Sequence, residues 1–280
     1  MAESGLILVA TPIGNARDIT LRALEALREA SVLASEDTRS LRRLMDMHGI
    51  PVAGRRMIAY HDHSSDRDRA RILEHLKRGE SVVYASEAGT PLIADPGYAL
   101  VDAAREAGIS VTTTPGVSAI ITALSIAGLP TDRFFFSGFL PSANAARKSE
   151  LQSLAAVRGT LVFYESPKRL AATLAEMAEV LGGERRAAVC RELTKKFEEV
   201  RQASLTDLSQ AYRDERVKGE VVILVEAAAE QAASEDDLRR ALAHALDRMS
   251  MKDAVSEVSA GLNAPRREVY QTALGMLGKR

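Results

Sequence analysis

Short runs of β-branched and apolar residues recur about every 25 residues in the first half of the sequence, each followed by a helical pattern. The runs are LILVA at 6, SVLAS at 31, MIAY at 57, SVVYA at 81 and ISVTT at 109. This alternation is typical of βαβ units on a parallel sheet, and no other feature constrains the fold as much. Leu21, Leu24 and Leu27 form one stripe of the first helix, and we place its N-cap at Asp18.

The pattern changes after residue 128. It predicts strands at 134–139, 159–165, 186–191, 199–205 and 219–225, with helices at 144–157 and 167–182. KFEEVRQASL alternates like a strand with one solvated face, which favours mixed or antiparallel pairing. We therefore predict an α/β fold with a parallel first domain at 1–128 and a second α/β domain at 129–228.

The segment EAAAEQAASEDD loses apolar content and is interpreted as a linker before a small helical domain at 234–280. Ser234 and Ser250 each precede an aspartate by three residues, a capping-box-like spacing, and Pro265 is placed to open a last helix. The order of elements resembles a helix-turn-helix. A plain three-helix cap is an equal alternative, because these residues are only about one charge positive.

Composition indicates an ordinary globular protein. The chain has 280 residues, is 46% hydrophobic and carries a formal net charge of −1, so no overall attraction to nucleic acid or membrane is expected. Its single cysteine, Cys190, excludes an intrachain disulfide and fits a cytoplasmic location. The N-terminal apolar run is too short for a signal peptide or a membrane span, so we expect no membrane association.

Several common sites have no sequence signature here. TPIGN follows the first strand where a GxGxxG dinucleotide motif would stand, and neither a P-loop nor a nucleophile elbow occurs. No Cys/His cluster has metal-ligand spacing, so no metal is expected.

Four loops after the predicted parallel strands are rich in Gly, Pro and small polar residues. They are ATPIGN at 10–15, ASEDTR at 34–39, SEAGTPLIADPG at 86–97 and TPGVSA at 114–119. Ligands of parallel sheets bind beyond the carboxyl ends of the strands, where such loops converge. Glycine allows close backbone approach and proline stiffens a loop, so the four loops together predict a ligand crevice.

The motifs TPIGNARDITLRAL, EDTR, AGTPLIADPGY, ALSIAGLPTDRFFFSGFLP, FYESPKRL and RELTK resemble the small-subunit ribosomal RNA methyltransferase I family of the tetrapyrrole methylase superfamily. The resemblance covers nearly the whole chain. It implies two α/β domains of the non-Rossmann methyltransferase type, a C-terminal helix-turn-helix-like domain and a homodimer. It also implies S-adenosylmethionine as cofactor, and 2′-O-methylation of a cytidine in small-subunit ribosomal RNA, naked or in the assembled subunit.

The resemblance also implies a cofactor pocket between the domains. Its predicted residues are Pro12, Glu87, Ala88, Gly89, Thr90, Pro115, Gly116, Ser118, Ala119, Tyr164, Ser166, Leu193 and Gly219. The superfamily pattern has an aspartate where this chain has Glu87, whose carboxylate stands one methylene further from the backbone. TPGVSA leads into a helix whose N-terminal amides can receive a polar group of the ligand.

ASEDTR is the candidate catalytic loop. A ribose hydroxyl must lose its proton as it attacks a methyl group, and Glu36 or Asp37 is the candidate base, with no choice between them. Arg39 is predicted to hold the adjacent phosphate and Lys168 to steady developing charge.

Two alternative functions remain at this point. Because the superfamily shares its pocket, the chain could be a small-molecule tetrapyrrole methyltransferase. The second alternative is not an enzyme but a noncatalytic RNA-binding assembly factor. EDTR and the helix-turn-helix-like end argue against the first alternative.

Overall fold

The computed structural model describes residues 4–61, 64–228, 235–262 and 264–277. The chain divides into two compact units, Met1–Ala227 and Ala228–Arg280, which are described separately. The first unit contains both sheets. The predicted boundary near residue 128 lies inside it and stays a prediction.

Five parallel strands form the first sheet. They are β1 Gly5–Val9, β2 Val32–Ser35, β3 Arg56–Ala59, β4 Ser81–Ala85 and β5 Val111–Thr114, in the order β3-β2-β4-β1-β5. Strands β2 and β4 are buried along their whole length, as expected when helices cover both faces of a parallel sheet. The predicted parallel α/β arrangement is confirmed.

The helices between these strands are α1 Leu21–Glu29, α2 Thr38–Met47, α3 Asp66–Lys77, α4 Tyr98–Glu106 and α5 Ala119–Ile126. Gly49, Gly79, Gly108 and Gly128 each stand two residues after the last residue of a helix and have positive φ, the conformation that favours glycine at a helix end. The prediction that Asp18 is the N-cap of α1 is wrong. Thr20 caps α1, because its side chain accepts a hydrogen bond from the Ala23 amide at 3.2 Å. Asp18 closes a preceding turn, in which its own amide donates to Asn15 O.

The second sheet is mixed. Its strands are β6 Phe134–Phe139, β7 Thr160–Glu165, β8 Arg186–Arg191, β9 Glu199–Ser204 and β10 Val221–Val225, in the order β6-β7-β10-β8-β9. Only β6 and β7 pair in parallel. Helices α6 Asn144–Leu154, α7 Leu170–Leu181 and α8 Leu205–Tyr212 cover one face. Mixed pairing was predicted, but α8 was not.

Helix α5 joins the two sheets. Its buried residues Ile120, Ala123 and Leu124 pack in one cluster with side chains of the second sheet, among them Val162 and Leu224. Ile13, from the loop after β1, belongs to the same cluster. Burying such apolar side chains contributes roughly 1.5–3 kcal/mol each, so this cluster holds the loops of the first sheet against the second.

The second unit contains three helices, α9 Glu235–Leu246, α10 Met251–Gly261 and α11 Arg266–Leu277, around a core of its own. Ser250 caps α10 by accepting the Asp253 amide, as predicted, and the Pro265 carbonyl accepts the amides of Glu268 and Val269 at the start of α11. Ser234 lies outside the described residues. None of the described helices has the length and apolar character needed to cross a bilayer.

Candidate active site

The loops after β1 and β4 leave the parallel sheet at its topological switch point. These strands are neighbours, but the chain runs from β1 towards β2 on one side and from β4 towards β5 on the other. A crevice opens where such connections diverge. Thr11 and Gly89 bridge it with a pair of backbone hydrogen bonds of 2.9 Å each.

Small polar side chains tie this crevice together. The Thr11 hydroxyl donates to Ser86 O at 3.2 Å, and the Ser86 hydroxyl donates to Gly89 O. Thr90 Oγ1 donates to Val117 O at 3.0 Å, which links the loop after β4 to the loop after β5. Three of the four predicted loops are therefore joined directly by hydrogen bonds.

A cavity of about 1030 Å³ opens beside these loops and has walls from both sheets. The first-sheet wall, defined here as the lining residues from the loops after β1 and β4, includes Thr11, Pro12, Ile13, Gly14, Ser86, Glu87, Ala88, Gly89 and Thr90. The second-sheet wall, defined as the lining residues after residue 128, includes Phe139, Tyr164, Glu165, Ser166, Leu193, Lys195, Gly219 and Glu220. This volume is ample for a cofactor-sized ligand.

Ion pairs shape the second-sheet wall. The Lys195 ammonium donates to Glu192 at 2.8 Å and to Glu220 at 2.9 Å. Burial opposes the charge, but these carboxylates raise the pKa of Lys195, while its hydrogen bond lowers the pKa of Glu192. Gly219 has φ +90°, and a Cβ there would collide with the Glu192 carboxylate.

Glu165 anchors the loop at the end of β7. It is 3% exposed, and its carboxylate accepts hydrogen bonds from Ser166 N at 2.7 Å and Thr173 Oγ1 at 2.6 Å. Arg169 Nη2 donates to it at 3.0 Å and also to Leu140 O at 2.7 Å. One buried carboxylate therefore fixes the ends of two adjacent strands at the cavity.

Most of the predicted cofactor residues meet at this cavity. Those lining it are Pro12, Glu87, Ala88, Gly89, Thr90, Ser118, Ala119, Tyr164, Ser166, Leu193 and Gly219. Pro115 and Gly116 do not line it. Gly116 faces a smaller crevice and packs on Ala10 so closely that an added Cβ would lie 2.8 Å from the Ala10 Cβ.

The structure separates the predicted catalytic residues. Glu36 lines the cavity, and among the described residues its carboxylate has no hydrogen-bond or ion-pair partner. Asp37 caps α2 and binds the Arg39 guanidinium through Nε at 3.1 Å and Nη2 at 3.0 Å, which lowers the pKa of Asp37. Arg39 is 91% exposed and Lys168 is exposed, and neither lines the cavity.

Sequence reasoning missed one face of α2. The helix turns a stripe towards the cavity, namely Ser40, Leu41, Arg43, Leu44 and Met47. This three-and-four spacing continues from Glu36 and is the signal that could have identified the face. Phe139, at the end of the FFFSGF strand, was also missed as a lining residue.

Strained backbone marks two of the loops. Among the described non-glycine residues, positive φ occurs at Leu92 and Ala94 in the loop after β4, at Glu192 and Thr194 after β8, and at Ala53. Such conformations are costly and cluster at functional sites, and four of these five residues lie in loops that supply the cavity walls. The backbone evidence therefore agrees with the cavity geometry.

Comparison with known proteins gives two matching families. Residues 5–209 match Tetrapyrrole (Corrin/Porphyrin) Methylases, and residues 232–277 match the RsmI C-terminal HTH domain.

Ribosomal RNA small subunit methyltransferase I of Mesorhizobium japonicum is 45% identical, with 97% of this chain and 92% of the relative covered. The protein of that name from Pseudomonas aeruginosa is 42% identical, with both chains fully covered. Among solved structures, uroporphyrin-III C-methyl transferase from Thermus thermophilus, complexed with S-adenyl homocysteine, has a TM-score of 0.54 at 22% identity, with 79% of this chain and 96% of that chain covered. At that identity the last similarity supports the fold alone.

Proposed function

This chain belongs to the tetrapyrrole methylase family, in its ribosomal RNA small subunit methyltransferase I branch, and we propose that it methylates the 2′-hydroxyl of a cytidine in small-subunit ribosomal RNA. The methyl donor is S-adenosylmethionine. The observation that carries the reaction chemistry is Glu36, whose carboxylate has no partner among the described residues and lines a cavity built at the switch point of the parallel sheet.

The residues around the cavity fit this cofactor. Gly89 has φ +80°, and an added Cβ there would lie 3.3 Å from Ile13 Cγ2. The absence of a side chain therefore lets the backbone of this loop pack closely against Ile13 at the cavity. Carboxylates of Glu36, Glu87, Glu165 and Glu220 also line the cavity. When bound, adenosylmethionine supplies an electrophilic methyl group on a positively charged sulfur, and a carboxylate-rich lining favours that charge.

Glu36 is the better candidate for the base. It faces the cavity and forms no ion pair with any cation in the described part of the chain, so its oxygens can accept the proton of a ribose hydroxyl. Asp37 is committed to capping α2 and to Arg39, and its lowered pKa makes it the weaker base. We therefore assign the proton transfer to Glu36 in this proposal, where the sequence alone offered Glu36 or Asp37.

Conservative variants test this assignment. Glu36→Gln should lower the single-turnover rate of methyl transfer about 10²-fold, the scale of a positioned proton acceptor, with little change in adenosylmethionine affinity. Asp37→Asn, which removes the charge but keeps a capping oxygen, is the control and should lose much less. Equal rates for Glu36→Gln and wild type at saturating substrate would show that the base is elsewhere.

Label transfer tests the function itself. Small ribosomal subunits from cells lacking this protein are incubated with it and radiolabelled adenosylmethionine, and a porphyrin precursor replaces the subunits in a parallel reaction. We expect label in the ribosomal RNA, and mapping the methylated nucleotide should give a 2′-O-methylcytidine. Label in the porphyrin alone would favour the tetrapyrrole alternative, and label in neither would favour the noncatalytic one. Naked ribosomal RNA in a third reaction identifies the form of substrate.

We place this protein in the cytoplasm as a homodimer. Family resemblance supports the dimer, and exposed apolar side chains on β6 and α5, including Phe134, Phe135, Ile121 and Ile126, offer surface for it. Light scattering over a concentration series should give twice the chain mass, and a constant monomer mass would contradict the dimer.

The second unit is proposed as a substrate-docking module. It has its own apolar core, so ending the chain at residue 228 should leave adenosylmethionine binding intact. Methylation of small subunits should weaken in the shortened protein. Equal activity of the two proteins would support the plain three-helix cap instead.

A further inference from the structure

Carboxylates dominate the described charges around the cavity, although the proposed substrate is a polyanion. Glu36, Glu87, Asp95, Glu165 and Glu220 line the cavity, whereas the described cations that line it are Arg43 and Lys195. A nucleotide phosphate entering this cavity is therefore repelled unless a cation compensates. The question is which cation is available.

Lys195 is already neutralised. Its ammonium lies 2.8 Å from a Glu192 oxygen and 2.9 Å from a Glu220 oxygen, so a phosphate would have to displace two carboxylates. Arg39, assigned to the phosphate from sequence, lies outside the cavity lining and uses two guanidinium nitrogens on Asp37. Neither residue offers a free pair of donors directed into the cavity.

Arg43 does. It lines the cavity from α2, and no hydrogen bond or ion pair holds its side chain among the described residues. Arg43 stands five residues after Thr38, the first residue of α2, a rise of about 8 Å, and helical side chains lean towards the N-terminus, the end of α2 that Glu36 precedes. A guanidinium binds phosphate through two parallel hydrogen bonds.

An aromatic ring supplies the second feature. Phe139 lines the cavity and is 59% exposed, and its ring is held edge-on against Tyr164, with centroids 5.6 Å apart. Tyr164 is itself braced by Phe136 at 4.9 Å. An exposed but supported ring beside a nucleic-acid site is a stacking platform for an unpaired base.

From these contacts we infer that Arg43 and Phe139 form the nucleotide subsite, with Arg43 on a backbone phosphate beside the target ribose and Phe139 stacked on an unpaired base. The subsite rests on the proposed function, because it names the residues that receive the RNA at the same cavity. It accounts for two exposed side chains that cofactor binding and proton transfer leave unused.

Matched arginines test the phosphate contact. Arg42 is the residue before Arg43 on α2, is exposed and does not line the cavity. Its guanidinium contacts Met57 Sδ at 3.7 Å. Arg43→Ala should weaken binding of unmethylated small subunits about tenfold and reduce the slope of log affinity against log salt by about one. Arg42→Ala should change neither by a comparable amount, and adenosylmethionine affinity should be unchanged in both.

Two variants of one position test the stacking contact. Phe139→Leu keeps an apolar side chain but removes the ring, and it should raise KM for small subunits roughly tenfold, the scale of one base stack. Phe139→Tyr keeps the ring and should restore a near-native KM. The salt dependence should stay at the wild-type slope in both variants, because no charge is changed.

The outcomes separate the two proposals. Wild-type protein that labels small subunits while Arg43→Ala and Phe139→Leu match it in KM and salt slope would overturn the subsite alone. Equal losses of small-subunit affinity in Arg42→Ala and Arg43→Ala would also overturn it, since the loss would then come from the change in net charge. Loss of adenosylmethionine affinity in Arg43→Ala would overturn it as well. Wild-type protein that labels no small subunit would overturn the proposed function and the subsite with it.

Discussion

The two walls of the cavity hold their loops in different ways. On the first-sheet wall, the loops are joined by backbone hydrogen bonds between Thr11 and Gly89 and by hydroxyl hydrogen bonds of Thr11 and Thr90. None of these contacts is an ion pair. On the second-sheet wall, ion pairs join the loops: the buried Glu165 with Arg169, and Lys195 with Glu192 and the exposed Glu220. The first wall depends on backbone shape and the second on charge, so different substitutions and conditions should disrupt them.

Loss of the Glu165 charge should have the largest effect. Glu165→Gln leaves Arg169 without its carboxylate in a largely buried network, and we expect the free energy of unfolding to fall by about 3 kcal/mol. Urea denaturation followed by circular dichroism measures this. Glu226→Gln, which breaks the more exposed pair with Arg186, should cost less than about 1 kcal/mol. Similar losses in both variants would contradict a special role for the buried charge.

On the first-sheet wall a change of backbone shape should be nearly as damaging. Gly89→Val places a β-branched side chain at φ +80° against Ile13, and adenosylmethionine affinity should fall about 10²-fold or more through strain and steric exclusion. Calorimetric titration measures the affinity. Gly79→Val is the control: its φ is +79°, but nothing lies within 4 Å of an added Cβ. It should bind the cofactor normally. A folded Gly89→Val protein with native affinity would remove this loop from the pocket.

The smallest effect concerns pH. Lys195 lowers the folded-state pKa of Glu192 below its unfolded value of about 4.3, so this pair stabilises the fold above that pH and the stabilisation is lost as pH falls through the folded pKa. Glu192→Gln should therefore lose on the order of 1 kcal/mol at pH 7 and converge with wild type in acid.

Thermal unfolding between pH 7 and pH 3 checks this expectation. Thr11→Val, which removes a neutral hydrogen bond from the first-sheet wall, should be destabilised by a similar amount at every pH. A Glu192→Gln curve that ran parallel to wild type over this range would show that charge does not distinguish the walls.

The sequence by itself determined the ten strands of this protein and the ends of its parallel strands, but not helix α8. The spacing of apolar residues, every two in strands and every three to four in helices, is a local property, so it locates β1 to β10. Glycines such as Gly49 and Gly79 mark helix ends, because few other residues adopt positive φ. The converging loops followed from the parallel arrangement, since carboxyl ends of parallel strands share one edge.

Tertiary structure decided which side chains of those loops are available. Glu36 and Asp37 are adjacent in sequence, yet one faces the cavity and the other is held by Arg39. Arg43 belongs to α2 and Phe139 to β6, and they line one cavity because α5 and Ile13 pack against the second sheet. Pairing between distant segments depends on packed shape and charge compensation, which no local period encodes.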